Sequence, residues 1–273
     1  GPHIFHTNSS KIFQFLSRFT DWRNYEHVVK TSVSNKILNF PINRNTINTL
    51  YDLELASQAD LEHFFDKRKV HHKKVTNSRQ HVEAQIGTEL CEMFFSNYTR
   101  KHWGLDLSEL ASSVAARIPY RVNDDPRYFE DLYQQMPLDG YHKLFQSMLC
   151  HPQISVTLNT KWSKNAYDWE AYSHIFYTGE IDRYYDYELG KLGYRSVQFI
   201  HETHQTEHYQ SAATINYPNE HPYTRITEFK KITGQIAPST SIVKEVPQAD
   251  GEPYYPIPTD QNRVLYRKYL KRA

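Results

Sequence analysis

The sequence predicts an α+β chain, a helical subdomain followed by a mainly antiparallel sheet, and three observations predict it. No proline occurs between Pro41 and Pro119, and apolar residues there recur at three- and four-residue spacing. After Pro119 the apolar period drops to two in several short segments. Gly and Pro punctuate those segments as they do in hairpin-rich sheets.

The elements follow in order. Ser9-Ser10 supply cap residues ahead of Ile12, Phe13, Phe15, Leu16 and Phe19, a spacing that predicts a short amphipathic helix. Residues 25–33 and 36–40 read as two strands joined by a Ser34-Asn35 turn, and Pro41 ends the second. Residues 46–50, 61–65, 82–87, 89–99 and 108–116 read as helix pieces. Strands are expected over 154–158, 175–179, 195–200, 213–217 and 241–246, with one helix over 139–149. Residues 262–273 read as a closing helix. The parts so defined are 1–43, 44–118, 119–260 and 261–273. No internal repeat is visible.

Composition narrows the function. Lys plus Arg is 32 against 31 for Asp plus Glu, a formal net charge of +1, which lacks the basic excess of a nucleic-acid binder. The basic run 67–74 reads as a solvated helix face or loop, with a phosphate patch as the alternative. The two cysteines, Cys91 and Cys150, have no CxxC spacing. They are expected to be buried thiols of an intracellular protein rather than a disulfide framework or a zinc site. No run approaches 18 apolar residues and no signal peptide opens the chain, so the expected location is cytoplasmic, with no membrane span. The 15 histidines form no HExxH or other ligand cluster, so no metal is expected. The nine glycines make neither GxGxxG nor GxxxxGK[ST], so no phosphate-cradling loop is present.

Aromatic residues make up 14% of the chain and 21 of them are Tyr. Tyr offers contact area plus a hydroxyl, which suits a polar, ring-bearing ligand; half-exposed core edges are the alternative. The densest cluster is Phe94-Phe95-Ser96-Asn97-Tyr98-Thr99-Arg100-Lys101-His102-Trp103-Gly104. On a helix Phe94 and Tyr98 share a face, Phe95 reads as core, and Gly104 is a natural stop. Rings stack on a planar base and guanidinium groups grip a diphosphate bidentately, so a nucleotide-sugar would need both. Arg117 and Arg225 stand in otherwise apolar surroundings, which demands a partner: an acidic side chain or a phosphate, and the sequence leaves both open. Pro253-Tyr254-Tyr255-Pro256 reads as a turn scaffold or an anion clamp. Gly1-Pro2 would let the backbone beside His3 and His6 approach a ring system closely.

These segments resemble the UDP-galactopyranose mutase family. The match is carried by Gly1-Pro2-His3-Ile4-Phe5-His6-Thr7, Phe40-Pro41-Ile42-Asn43, Tyr98-Thr99-Arg100-Lys101-His102-Trp103-Gly104 and Arg117-Ile118-Pro119-Tyr120-Arg121. It continues through Tyr128-Phe129, Tyr177-Thr178-Gly179-Glu180-Ile181-Asp182, Tyr194-Arg195-Ser196, Pro222-Tyr223-Thr224-Arg225-Ile226-Thr227-Glu228 and Glu252-Pro253-Tyr254-Tyr255-Pro256-Ile257. The resemblance implies a flavoenzyme of galactofuranose and polysaccharide biosynthesis. Such an enzyme interconverts UDP-galactopyranose and UDP-galactofuranose through a covalent adduct between reduced FAD, at its N5 atom, and the sugar.

By position, the resemblance implies Phe94, Tyr98, Thr99 and Trp103 around the uracil, with Tyr98 stacked on it. It implies Arg117 and Arg225 as diphosphate clamps and catalytic groups, with Tyr128, Asn216 and one of Tyr254 or Tyr255 also on the substrate. His3, a further catalytic candidate, would pack on the flavin, with His6 nearby and Asn43 and Arg195 toward the flavin or the sugar. Residues 1–43 would be a remnant of an FAD-binding Rossmann-type domain. The family's GxGxxG unit and its last flavin-contacting segment would lie outside this chain, making it an internal piece. Self-association into a homo-oligomer belongs to the same expectation. The alternatives are a UDP-sugar-binding module without flavin catalysis and an interaction or nucleic-acid-binding protein.

Overall fold

Two sheets carry the fold in a computed structural model that describes residues 2–116, 120–163 and 169–273. The smaller sheet is antiparallel and has β5 (Tyr133–Pro137) between β1 (Phe5–Thr7) and β2 (Trp22–Asn24). The larger has seven strands: β3 (Val29–Val33), β4 (Lys36–Phe40), β6 (Tyr194–His204), β7 (Thr214–Asn216), β8 (Arg225–Glu228), β9 (Thr240–Gln248) and β10 (Tyr255–Pro256). Their order is β10-β6-β9-β8-β7-β3-β4, antiparallel throughout except for the parallel pair β3–β7. The mainly antiparallel expectation therefore stands.

Local chemistry explains the elements. In the β3–β4 hairpin, Ser34 and Asn35 have φ of 52° and 58°. Two successive left-handed residues match the right-handed twist of the flanking strands. Val29, Thr31 and Val33 are buried while Lys30 and Ser32 are half-exposed, the period of a strand with one covered face. Between the hairpin and the next strand run α2 (Arg44–Tyr51), α3 (Gln58–Asp66), α4 (Ser78–Ile86), α5 (Thr88–Cys91), a π-helical turn (Glu92–Ser96), α6 (Asn97–Trp103), a 3-10 turn (Leu107–Glu109) and α7 (Ser112–Ala115). Reciprocal capping boxes start α2 (Asn43 with Thr46) and α3 (Ser57 with Asp60). This helical layer shares one core with the hairpin: Val33, Leu38 and Phe40 pack in the same cluster as Ile47, Leu61, Leu90 and Phe95. The remaining helices among the described residues are α1 (Ser10–Leu16), α8 (Gly140–Leu149), a 3-10 turn (Trp169–Ala171), α9 (Ile181–Tyr184), α10 (Phe229–Thr233) and α11 (Asp260–Leu270).

Several expectations are corrected. Residues 154–158 alternate and 175–179 read as a short buried strand, but neither forms a strand, and Leu158 and Phe176 are exposed. Alternation yields a strand only where a neighbour supplies the ladder bonds, and neither segment has one. The stretch 25–33 is not a single strand: β2 ends at Asn24, and Val28 bridges to Arg127 before β3 begins. The helix α1 is capped by Ser9 but buries none of its residues. Cys91 is buried as expected, whereas Cys150 is exposed. The basic run 67–74 leaves α3 as a loop, with the Arg68 guanidinium 3.6 Å from the centre of the Phe64 ring.

Gly87 lets α4 turn directly into α5. Its φ is +87°, and a Cβ there would lie 2.4 Å from the carbonyl oxygen of Arg68. Both conformation and space select glycine. Gly87→Ala is expected to cost roughly 1–3 kcal/mol of stability, read as a lower denaturation midpoint in urea.

Candidate active site

The floor of the site is one face of the larger sheet, and strand register decides which residues form it. Thr31 of β3 pairs with Asn216 of β7, Asn216 with Arg225 of β8, Arg225 with Glu245 of β9, and Glu245 with Phe199 of β6. Directly opposed residues share a face, so these five side chains form one row across five strands. The next row on that face is Val29, Thr214, Thr227, Val243 and His201. Thr31, Asn216, Arg225, Val29 and Thr214 line a cavity of about 320 Å³. Glu245, Phe199, Val243 and His201 line an adjoining one of about 440 Å³. The two share Pro2 and His3.

The wall facing this floor comes from the helical layer. Phe94, Phe95, Tyr98 and Thr99 all line the smaller cavity. With Leu90 and Cys91 they make three adjacent pairs repeating every four residues, and all but Tyr98 are buried. A regular α-helix of 3.6 residues per turn would rotate each successive pair by about 40°. The π-helical turn at Glu92–Ser96, being wider, takes out that rotation and keeps the three pairs on one side. The rest of the wall is Tyr128, Phe129, His27, His6, Ile4 and Phe40.

Among the described residues, an ion pair on the cavity floor joins Arg225 to Glu245. Arg225 Nε lies 2.7 Å from Glu245 Oε2, and the Glu245 side chain is almost fully enclosed. Burial opposes the charge on Arg225, but the Tyr98 phenolate that forms only at high pH and the Glu245 carboxylate outweigh it and hold the guanidinium above its ordinary range. Burial pushes the Tyr98 and Tyr128 hydroxyls up, so both remain protonated donors. Burial, with repulsion from Arg225, lowers His27 to about 4, so its ring is neutral. Its Nδ1 lies 2.9 Å from the Tyr25 hydroxyl. Burial and the charges of Arg225 and Arg195 likewise lower His102 to about 4.

The structure brings together Arg225, Asn216, Tyr98, Thr99, Phe94, Tyr128, His3 and His6 around the smaller cavity. His6 is held by Asp131 (Nδ1 to Oδ2, 2.8 Å) and stacks on Phe129 at 3.6 Å. Phe95, read as core, is core and wall at once. Other expected residues lie elsewhere. Asn43 is fully buried and caps α2, with its Nδ2 donating to the Asp125 carbonyl. Arg195 donates from Nε to the His102 carbonyl (3.2 Å) and from Nη2 to that of Lys101 (3.3 Å), holding the end of α6. Trp103 faces a separate cavity of about 820 Å³, lined by Tyr177, Tyr184, Tyr194 and Tyr266 among others. Tyr255 borders both that cavity and the 440 Å³ one. Tyr254 is exposed and donates its hydroxyl to Glu252 (2.9 Å). Arg117 falls outside the described residues. Sequence reasoning missed Glu245, His27 and Phe129. Only Phe129 had a signal, as the neighbour of Tyr128.

No group of three or more His, Cys, Asp or Glu side chains able to hold a metal occurs among the described residues. No helix among them is long and apolar enough to cross a membrane.

A sequence model of the UDP-galactopyranose mutase family matches residues 93–273. The whole chain aligns at 34% identity with a probable UDP-galactopyranose mutase of Klebsiella pneumoniae, covering 72% of that protein. The chain belongs to the UDP-galactopyranose mutase family. Family membership indicates mutase, that is isomerase, function. The whole chain also aligns at 30% with the UDP-galactopyranose mutase of Mycoplasma genitalium, over 73% of its length. A dTDP-fucopyranose mutase of Escherichia coli is 34% identical over the whole chain and 75% of its own. A crystal structure of reduced UDP-galactopyranose mutase superposes with a TM-score of 0.67 at 15% identity, over 93% of this chain and 64% of that one, which places the fold in this family.

The neutral histidines set a pH dependence. Folded His27 and His102 titrate at about 4, against an ordinary 6.5. Between those values the unfolded chain binds protons that the folded chain does not, so stability is full above 6.5 and falls as pH drops towards 4. His27→Gln should flatten that slope in urea denaturation titrations across the interval.

Proposed function

We propose that this chain interconverts UDP-galactopyranose and UDP-galactofuranose, with FAD as its cofactor. The observation that carries the reading is Arg225: a half-buried cation held against Glu245 on the floor of a cavity walled by Tyr98, Phe94 and Tyr128. With Nε facing Glu245 in an ion pair, the terminal nitrogens of Arg225 are suited to grip a pyrophosphate in a bidentate fork. The Tyr98 ring would stack on the uracil, with Phe94 and Thr99 beside it. The Tyr128 hydroxyl, kept protonated, would donate to a phosphate oxygen, and Asn216 offers both amide donor and carbonyl acceptor to the sugar. As UDP departs, negative charge grows on its terminal phosphate, and Arg225 would stabilise that charge more than the ground state.

The residues present fit the flavin ring system. The cavity adjoining the substrate cavity is bounded by the rings of His3, Phe199, His201, Phe229, Tyr254 and Tyr255. Flat aromatic walls suit a planar tricyclic group, and His3, common to both cavities, would border it on the sugar side. When bound, reduced FAD supplies the nucleophile for the anomeric carbon. The chain's own residues bind the nucleotide, orient the sugar towards that cavity and keep water out with a ring-lined wall.

Calorimetric titration with UDP and turnover of UDP-galactofuranose by the flavin-loaded protein test the reading. Arg225→Ala should abolish turnover and weaken UDP binding strongly; unchanged kinetics would defeat the clamp role. Tyr98→Ala should cost about 1–3 kcal/mol of UDP affinity, the usual worth of base stacking. Because a relative named for dTDP-fucopyranose is as similar as one named for UDP-galactopyranose, dTDP-fucopyranose belongs in the same assay. Preferential turnover of it would reassign base and sugar while leaving Arg225 in its role.

A further inference from the structure

The outer face of the aromatic helix repeats every four residues as the inner face does. Glu92, Ser96 and Arg100 mark it, at the start of the π-helical turn, at its end and in the middle of α6. One side chain from another helix reaches across this face. Arg79 of α4 pairs through Nη1 with Glu92, and its Nη2 lies 3.5 Å from the Ser96 hydroxyl. The same nitrogen is 3.4 Å from Asp106 Oδ2, beyond the helix end. Asp106 in turn binds Arg100 Nη2 at 3.0 Å and caps the 3-10 turn at Leu107–Glu109. Glu83, one turn along α4, lies 3.7 Å from Arg79 Nη1. The hydrogen bond from Arg79 holds the Glu92 carboxyl below the usual carboxylate range. Backbone and side-chain bonds from Ser108 lower Asp106 most, with Arg79 and Arg100 adding.

A π-helical turn is a less favourable geometry than the α-helix and persists where surrounding contacts impose it. Here the imposed geometry keeps Phe94, Phe95, Tyr98 and Thr99 aligned on the cavity, and its two ends are tied by Arg79. We infer that Arg79 is a positioning residue: its clamp on Glu92, Ser96 and Asp106 sets the helical register that presents Tyr98 and Phe94 to the nucleotide. Arg79 does not line the cavity, so it acts on binding through that register. The inference rests on the reading of the cavity as the nucleotide site.

The test is a double-mutant cycle on UDP affinity, measured calorimetrically on the full chain. Arg79→Met should weaken UDP binding roughly tenfold, and Arg79→Lys, which restores a cation but not the fork, should recover part of the loss. In a Tyr98→Ala background the Arg79→Met change should cost less than about twofold, because the ring it positions is gone. Glu92→Gln cuts one arm of the clamp and keeps the core intact; it should show the same dependence on Tyr98 at smaller size, and it carries the test if Arg79→Met does not fold. A folded Arg79→Met protein that binds UDP like the parent overturns the inference, as does an equal loss in both backgrounds. In either case a weakened Tyr98→Ala leaves the nucleotide site standing. A parent protein that binds no UDP overturns both.

Discussion

The structure of the site depends on the cross-strand pair of Arg225 and Glu245. A carboxylate as enclosed as Glu245, 1% exposed, is costly unless an opposite charge meets it. The partner arrives by sheet register, since Arg225 stands directly opposite on the neighbouring strand. The arrangement constrains both sides. Slipping β8 against β9 by one residue would turn Arg225 to the other face and break its pairing with Glu245. The same register aligns Asn216 and Thr31 on one side and Phe199 on the other, so the pair fixes the whole floor.

The helical wall answers a different constraint. Its apolar pairs repeat every four residues, a period that neither an α-helix nor a strand matches. A single π-helical turn between two short α-helical pieces reconciles that repeat with hydrogen-bonded backbone. Gly87 at one end and Gly104 at the other, both at positive φ, free the wall from the elements that flank it. Arg195 then fastens the far end of α6 to β6, so wall and floor are tied together by side chain to backbone bonds.

Much of this was legible from residues alone, and what was not has identifiable causes. Arg225 announced itself as a cation in an apolar strand, and the Phe94 to Trp103 cluster as a ring-lined element. The partner of Arg225 was left open between an acid and a phosphate. The structure supplies the acid and still leaves the guanidinium on the cavity. Glu245 was invisible because its meaning depends on pairing between strands distant in sequence, which no local period encodes. The π-helical turn escaped because Phe94 and Tyr98 share a face in an α-helix too; only the third pair, counted back to Leu90, reveals the longer period. Asn43 and Arg195 came from resemblance, and both are tied down by local backbone bonds: a cap on α2 and an anchor for α6. Segment 154–158 had the alternation of a strand and 175–179 the apolar run of a buried one, without neighbours to bond.

The parallel pairing of β3 with β7 joins an early hairpin to a strand far downstream. During synthesis the hairpin is complete long before its partner leaves the ribosome. Until then the inner edge of β3 presents unbonded amides and carbonyls beside buried-type valines, a surface that other nascent chains can copy. The helical layer made in between packs on the same core as the hairpin. The segment that walls the cavity in the finished protein is thus made between the hairpin and the strand that completes its floor.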